Sequence, residues 1–284
     1  WNKKKDREGY VENIDTIDDQ KTGSILPMLA EKYKERSKYI QFPAAVQPKL
    51  NGNRCITDII DSTVTYTSRR LSVWDTLGHL SIDVSSILTF IKKPLDGEIF
   101  NPEIDIQDIG ALIKKFHGED DKVGNWITTD LEYWIYDYVD TEIGFIQRYN
   151  NLVDAFTKAG ATKFKDGKMK LGNVVLVPTF IVHNHEEIMS QHKWYVSFGY
   201  EGTMVRNDVP YVVGHRTNHL QKMKDHLDSE YRIVGGKEGT GREKGCCIFI
   251  LETEDGKQFD CRPVGSVEKR KQYLKDLPSL IDRK

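Results

Sequence analysis

From Phe42 onward the chain runs as short apolar segments cut by turn residues, and this punctuation limits what it can fold into. Residues 46–50 and 63–67 have strand composition, and the aromatic stretch 131–138 reads as another strand. Between them, Leu77, Leu80, Val84, Ile87 and Leu88 recur at helical spacing, which predicts a helix over residues 76–92. A second helix is expected over 144–159, ended by Gly160, and a third, shorter one over 186–198. Residues 173–182 form one strongly β-prone stretch. Strands and helices mixed in this way describe an α+β fold.

Near Ser229 the pattern changes. Residues 231–234, 246–252 and 258–264 read as three strands, separated by the glycine-rich loop 235–245 and the turn Glu254-Asp255-Gly256. That is the pattern of a small antiparallel barrel. Residues before Asp19 are charged and lack apolar periodicity, as in an irregular arm. The chain opens on Trp1 and not on methionine, which reads as a start inside a longer natural protein. The basic opening residues do not form a signal peptide.

Composition excludes some functions. With 38% hydrophobic and 30% charged residues the chain reads as a globular protein, and no apolar run reaches bilayer-spanning length. A formal net charge of -2 does not announce a nucleic-acid binder, although a basic face can be balanced by acids elsewhere. Cys55, Cys246, Cys247 and Cys261 make no C-x-x-C pair, so neither a zinc site nor a disulfide framework is expected, and a reducing compartment is the simpler setting.

Five segments carry chemistry. Lys49-Leu50-Asn51-Gly52-Asn53-Arg54 puts a lysine at a strand end before a turn glycine and an arginine. Free lysine titrates near ~10.4, so a lysine nucleophile needs surroundings that make it less basic. Leu95-Asp96-Gly97-Glu98-Ile99-Phe100 sets an acid on a β-prone segment, and Tyr133-Trp134-Ile135-Tyr136-Asp137-Tyr138 supplies rings. Tyr200-Glu201-Gly202-Thr203-Met204-Val205-Arg206 gives a second acid before a strand. Leu220-Gln221-Lys222-Met223-Lys224 places two lysines on one strand face at period two. A triphosphate with a divalent cation needs these parts: cations for phosphate oxygens, carboxylates for metal or ribose, and an aromatic face for the base.

In this order and spacing the segments resemble the nucleotidyltransferase motifs of the ATP-dependent DNA ligases, with the nearest likeness to small viral and phage-type enzymes. Phe42-Pro43 and Ser68-Arg69 also match, and the resemblance runs from about Ile25 to Tyr273. It implies a nucleotidyltransferase (ATP-grasp-like) domain of antiparallel sheets and helices, followed by a small all-β OB-fold domain. The expected boundaries are an arm at 1–24, the adenylation domain at 25–228, and an OB-fold domain at 229–284 that is incomplete at its C-terminus.

The resemblance assigns roles to residues. Lys49 is the adenylated nucleophile, and Arg54 contacts nucleotide or phosphate. Arg69 holds the 5′-phosphate side of the nick. Glu98 serves ribose or metal, Tyr136 stacks on adenine, and Glu201 supports the metal. Lys222 and Lys224 reach the phosphates, Lys222 being favoured for the α-phosphate. ATP and Mg²⁺ or Mn²⁺ are the implied cofactors, and nicked duplex DNA is the implied partner of a monomeric intracellular enzyme. Such activity belongs to DNA replication, repair and recombination.

Two departures stand out. Asn51 occupies a place where the family usually has Asp, and the family's final basic motif lies beyond Lys284, the terminal Asp282-Arg283-Lys284 coming too early for it. RNA ligases and mRNA capping guanylyltransferases share much of the chemistry and stay as alternatives. So does a nick-binding module that has lost catalysis. Three other features have plainer readings: His183-Asn184-His185 as a surface loop, Gly235 to Gly241 as a barrel loop, and Lys3-Lys4-Lys5 as a solvated tail or auxiliary DNA contact.

Overall fold

A computed structural model describes residues 25–224 and 230–283. The expected arm at 1–24, with Lys3-Lys4-Lys5, the Ser229 boundary and Lys284 lie outside the described residues. Two compact units are present, Trp1–Asp225 and His226–Lys284. In the first, the order is β1 (Leu29–Lys32), α1 (Tyr33–Arg36), β2 (Ala44–Lys49), β3 (Asn53–Ile60), β4 (Thr63–Ser68) and β5 (Val73–Trp74). There follow α2 (Ser81–Ile91), β6 (Leu95–Phe100), α3 (Ile106–Lys114), β7 (Glu132–Tyr138), α4 (Phe145–Lys158), β8 (Thr162–Lys163) and β9 (Met169–Leu171). The unit ends with β10 (Val174–Leu176), β11 (Phe180–Val182), α5 (His185–Ser197), β12 (Gly202–Asn207) and β13 (Arg216–Lys224).

These strands form a five-stranded sheet, β1-β13-β12-β2-β11, and an eight-stranded sheet, β5-β4-β3-β6-β7-β10-β9-β8. Pairing is antiparallel as expected except at two places: β1 runs parallel to β13, and β10 parallel to β7. The β-prone stretch 173–182 is not one strand. Val177-Pro178-Thr179 separates β10 in the large sheet from β11 in the small one, because Pro178 has no N–H to give a ladder.

The helices bury the faces their spacing predicts. Leu77, Leu80, Val84, Ile87 and Leu88 join the main apolar cluster with Leu152 and Phe156 of α4 and the inner residues of β6 and β7. Gly160 closes α4 in a left-handed turn, where Ala161 N–H donates to Phe156 O at 3.0 Å and Gly160 N–H to Thr157 O at 3.1 Å. Asn184 caps α5 by accepting from Glu187 N at 2.9 Å, and His185 Nδ1 lies 2.6 Å from Tyr33 Oη. His183 and Asn184 thus form an exposed bend, as the surface-loop reading expects, and His185 opens α5.

The second unit holds β14 (Arg232–Glu238), β15 (Cys247–Glu252) and β16 (Gln258–Cys261) in one antiparallel sheet, then α6 (Val267–Leu280). Two features differ from expectation. Residues 235–238 continue β14 and are not loop, and α6 adds a helix to a unit expected to be all-β. At Gly236 a Cβ would sit 2.8 Å from Leu277 Cδ1, so the bare backbone lets the Leu277 side chain of α6 pack close to the strand. All four cysteines are free. Among the described residues no helix is long and apolar enough to cross a membrane.

Candidate active site

Strand register assembles the centre of the site. Lys49, the last residue of β2, pairs with Gly202 of β12, which pairs in turn with Lys224 of β13. Glu201 N–H donates to Lys49 O at 3.1 Å, so residues far apart in sequence meet at adjoining strand ends. Lys49 Nζ is ion-paired with one carboxylate oxygen of Glu201, and Lys224 Nζ takes the other. Lys49 Nζ also donates to Leu50 O at 3.2 Å. Burial works to raise the Glu201 carboxyl, but hydrogen bonds from Lys224 and Lys49 outweigh it and hold the group below its ordinary value. Gly202 is needed at this join. Its φ is +152°, and a Cβ would lie 2.1 Å from Met223 O.

The turn after the lysine is pinned from beneath. Leu50 is buried, Asn51 is exposed, and Gly52 N–H donates to Glu98 Oε1 at 2.8 Å. A Cβ on Gly52 would stand 2.4 Å from Ile99 O, so only glycine lets the turn rest on β6. Burial pushes the Glu98 carboxyl up to about 7, against the pull of Lys49, the Gly52 amide and Arg54.

Arg54 lines the cavity, yet most of its donors are engaged inside the protein. Its Nε and Nη2 grip Asp96 at 2.9 and 2.5 Å, and Nη1 donates to Met28 O at 2.7 Å. Tyr211 Oη donates to Asp96 at 2.7 Å and accepts from Met28 N at 2.9 Å. Burial opposes the charge on Arg54, but Asp96 overrides it and holds the guanidinium's pKa well above its usual value.

Tyr136 is partly buried on β7, with Arg54 5.7 Å and Arg206 5.3 Å from its ring centroid. Sequence reasoning missed what fixes this ring. Gln47 is buried two residues before Lys49, donates to Tyr136 O at 3.0 Å and accepts from Arg206 Nε at 2.8 Å. Arg206 and Arg148 share the buried Asp137. Gln47 shares a face of β2 with Lys49, two residues on, and that period was the one available signal.

Lys49, Arg54, Glu98, Tyr136, Lys222 and Arg69 all line one cavity of about 800 Å³. Glu201 and Lys224 are outside its lining and reach it through Lys49. Lys222 makes no ion pair among the described residues, and burial with nearby Lys224, Arg216, Lys49 and Arg69 holds its pKa down. Arg69 is depressed in the same way, by burial and then by Arg54 and Arg216. Arg216, not anticipated from sequence, donates to Ala30 O and adds its charge to the lining. Glu98 is the only acid among the lining residues described. The cavity is therefore built to receive an anion beside an aromatic face.

Among the described residues no group of three or more His, Cys, Asp or Glu side chains converges on a metal position. Lys49 acts electrostatically on both Glu98 and Glu201, and Glu98 makes no close ion pair among the described residues. One or two carboxylates completed by substrate phosphate oxygens is the usual way Mg²⁺ is held, so this donor set fits.

A family model described as ATP dependent DNA ligase domain matches residues 27–224. Among curated proteins, the DNA ligase of African swine fever virus (Warthog isolate) is 25% identical over 256 residues, covering 85% of this chain and 57% of that protein. The DNA ligase of Enterobacteria phage T6 is 25% identical over 272 residues, covering 81% and 54%. A solved Lig E DNA ligase shares the fold with a TM-score of 0.64 at 18% identity, covering 88% of each chain. The fold is that of the nucleotidyltransferase domain of ligases. The chain belongs to the ATP-dependent DNA ligase domain family. It spans little more than half the length of the curated relatives it matches.

Proposed function

We propose that this chain is the catalytic core of an ATP-dependent DNA ligase that seals 5′-phosphate/3′-hydroxyl nicks in duplex DNA. The observation that carries the reading is Lys49 at the wall of a cation-lined cavity that Tyr136 also lines, paired with Glu201. In the first step Lys49 Nζ, once it has lost a proton to solvent, attacks the α-phosphorus of ATP with its lone pair; the P–N bond forms as the bond from that phosphorus to the bridging oxygen breaks, and pyrophosphate leaves with the bond's electrons. Glu201 accepts a hydrogen bond from Nζ and keeps it oriented. Lys222 and Arg216 offset phosphate charge, Glu98 receives the ribose, and Tyr136 covers the adenine.

A 5′-phosphate oxygen of the nick, steadied by Arg69, then takes the adenylyl group and frees Lys49. Last, the 3′-hydroxyl attacks that 5′-phosphorus and AMP departs. Mg²⁺ held by Glu201 and Glu98 with substrate oxygens would supply charge neutralisation at the phosphates.

The test is incubation with α-labelled ATP and magnesium, followed by a chase with nicked duplex. Acid-labile, hydroxylamine-sensitive label should appear on the protein, be absent from Lys49→Ala, and pass to DNA in the chase. Label from GTP in place of ATP would point to capping, and a chase accepted only by nicked RNA would point to RNA ligation. No label from either nucleotide would sink the catalytic reading.

A further inference from the structure

A second cavity, of about 310 Å³, opens in the first unit away from Lys49. Lining it are Lys38, Tyr39 and Gln41, from the chain between α1 and β2, and Thr217, Asn218 and His219 of β13; none of them lines the cavity around Lys49. Strand register makes the opening. β1 pairs Ala30 with Thr217 and then Glu31 with Gln221, so residues 218–220 have no partner in β1 and bulge from the ladder. Toward β12 the ladder is regular, with Lys222 opposite Met204 and Leu220 opposite Arg206. Side chains alternate along such a strand, so His219 leaves β13 on the face opposite to Leu220 and Lys222, which line the cavity around Lys49.

Asn207 fixes the polarity of this lining. Its buried side chain accepts Gln41 N–H through Oδ1 at 3.0 Å and donates through Nδ2 to Tyr39 O at 2.9 Å. A backbone donor and a backbone acceptor leave the amide no choice of orientation, so Nδ2 is also the donor in its 3.1 Å contact with His219 Nδ1. His219 Nδ1 accepts, and the neutral ring then carries its proton on Nε2. Other acceptors of the lining are taken as well: Thr217 Oγ1 accepts from His219 N at 3.2 Å, and Asn218 O from Gln221 Nε2 at 2.9 Å. The donors are left over. Lys38 Nζ lies 5.2 Å from the centroid of the Tyr39 ring and makes no ion pair among the described residues, Glu35 of α1 being taken by Lys32. His219 Nε2, the Thr217 hydroxyl proton and the side-chain amides of Gln41 and Asn218 are open to a ligand, and no carboxylate is among the described lining residues. Spare donors around one cation, with no acid to answer them, suit a group that accepts in several directions at once, as phosphate oxygens do.

We propose that this cavity binds the phosphate group of a small anion, pyrophosphate or a phosphate monoester, at a site separate from the one around Lys49. Lys38 Nζ supplies the charge, His219 Nε2 and the Thr217 hydroxyl donate to phosphate oxygens, and the Gln41 and Asn218 amides turn their NH₂ groups inward. The site shares β13 with Lys222 but uses the other face, so its occupant does not compete with ATP. The inference goes beyond the ligase reading and does not rest on it.

Equilibrium dialysis of the full chain against labelled inorganic pyrophosphate tests it, with the Lys49 cavity filled by excess ATP and magnesium left out. Wild type should bind pyrophosphate saturably, to a single equivalent. Lys38→Met should weaken that binding about tenfold, as expected for one charge-assisted hydrogen bond, and Lys38→Glu should weaken it further. Both variants should melt as wild type does and form lysyl-AMP at the wild-type rate, because Lys38 is exposed and lies outside the Lys49 cavity. Nitrogen NMR of the histidine rings should find the His219 proton on Nε2, and that signal should move with pyrophosphate in wild type but not in Lys38→Glu. Displacement by inorganic phosphate supports a free anion as the occupant, and displacement by a sugar phosphate supports a monoester. A single-stranded oligonucleotide without terminal phosphates that displaces pyrophosphate better than either gives the site to a nucleic-acid backbone and overturns the small-anion proposal. So does wild-type protein without saturable binding, or binding that is equal in wild type and Lys38→Glu with the His219 signal unmoved. Loss of lysyl-AMP formation in both Lys38 variants overturns the separation of the two sites.

Discussion

Around Lys49, charge is balanced in a way that single substitutions can probe. Asn51 sits two residues on, exposed, in a turn fixed by Leu50 and Gly52. Asn51→Asp therefore restores the family's acid without disturbing a packed side chain. The adenylation rate should rise or at least be maintained, as read in single-turnover label incorporation, and a severe loss would show a site adapted to the amide. Glu98 gives a pH prediction. Its carboxyl is raised from 4.5 to about 7. A raised acid contributes stability at low pH, below its unfolded value, and loses it as pH climbs through the folded value. The ligand-free protein should thus lose stability from about pH 4.5 to pH 7 through this group, by at most about 3.5 kcal/mol at ~1.4 kcal/mol per unit. Glu98→Gln keeps an oxygen for the Gly52 amide and removes the titration. Its melting temperature should match wild type near pH 4.5 and exceed it at pH 8; equal differences at both values would rule out the effect.

Elements bring the site together through register, and that is where sequence reading reached its limit. The helix at 81–91 was legible because its apolar face repeats locally, and β7 because aromatic and β-branched residues cluster there. Lys49, Glu98, Tyr136, Lys222 and Arg69 were legible as motif residues, and the fold gathers them on one cavity. The partners of Arg54 were not legible. Asp96 lies 42 residues away and Tyr211 157 away, and only strand pairing shows that they meet. The break of 173–182 into strands of two sheets was hidden for the same reason, since both halves keep β composition. Gly202 makes the register argument testable. With φ at +152° and Met223 O 2.1 Å from any Cβ, Gly202→Ala must part β12 from β13. Thermal unfolding should show a loss of about 2–4 kcal/mol, and lysyl-AMP formation should fall further than stability alone explains, because Glu201 moves with the strand. A variant as stable and active as wild type would refute this placement of the join.

At the scale of the whole molecule, among the described residues the apolar clusters of the first unit contain none beyond Met223. Removing residues 229–284 should therefore leave that unit folded, with its cavity intact. Binding to DNA is another matter. A chain with a formal net charge of -2 has no general attraction for a polyanion, so affinity must come from local cations. The first unit supplies Arg69, Arg216 and Lys222 at the cavity, and α6 of the second exposes Lys269, Lys271 and Lys275. Cations of both units that reach the phosphate backbone should add their effects, with little dependence on base sequence. The truncated chain should bind nicked duplex at least about tenfold more weakly, and its log–log salt dependence should flatten by about 0.9 for each phosphate it no longer neutralises. Fluorescence anisotropy on one nicked duplex across a salt series reads both quantities. If the truncated chain binds as tightly as the full one and with the same slope, the second unit contributes nothing to holding the nick.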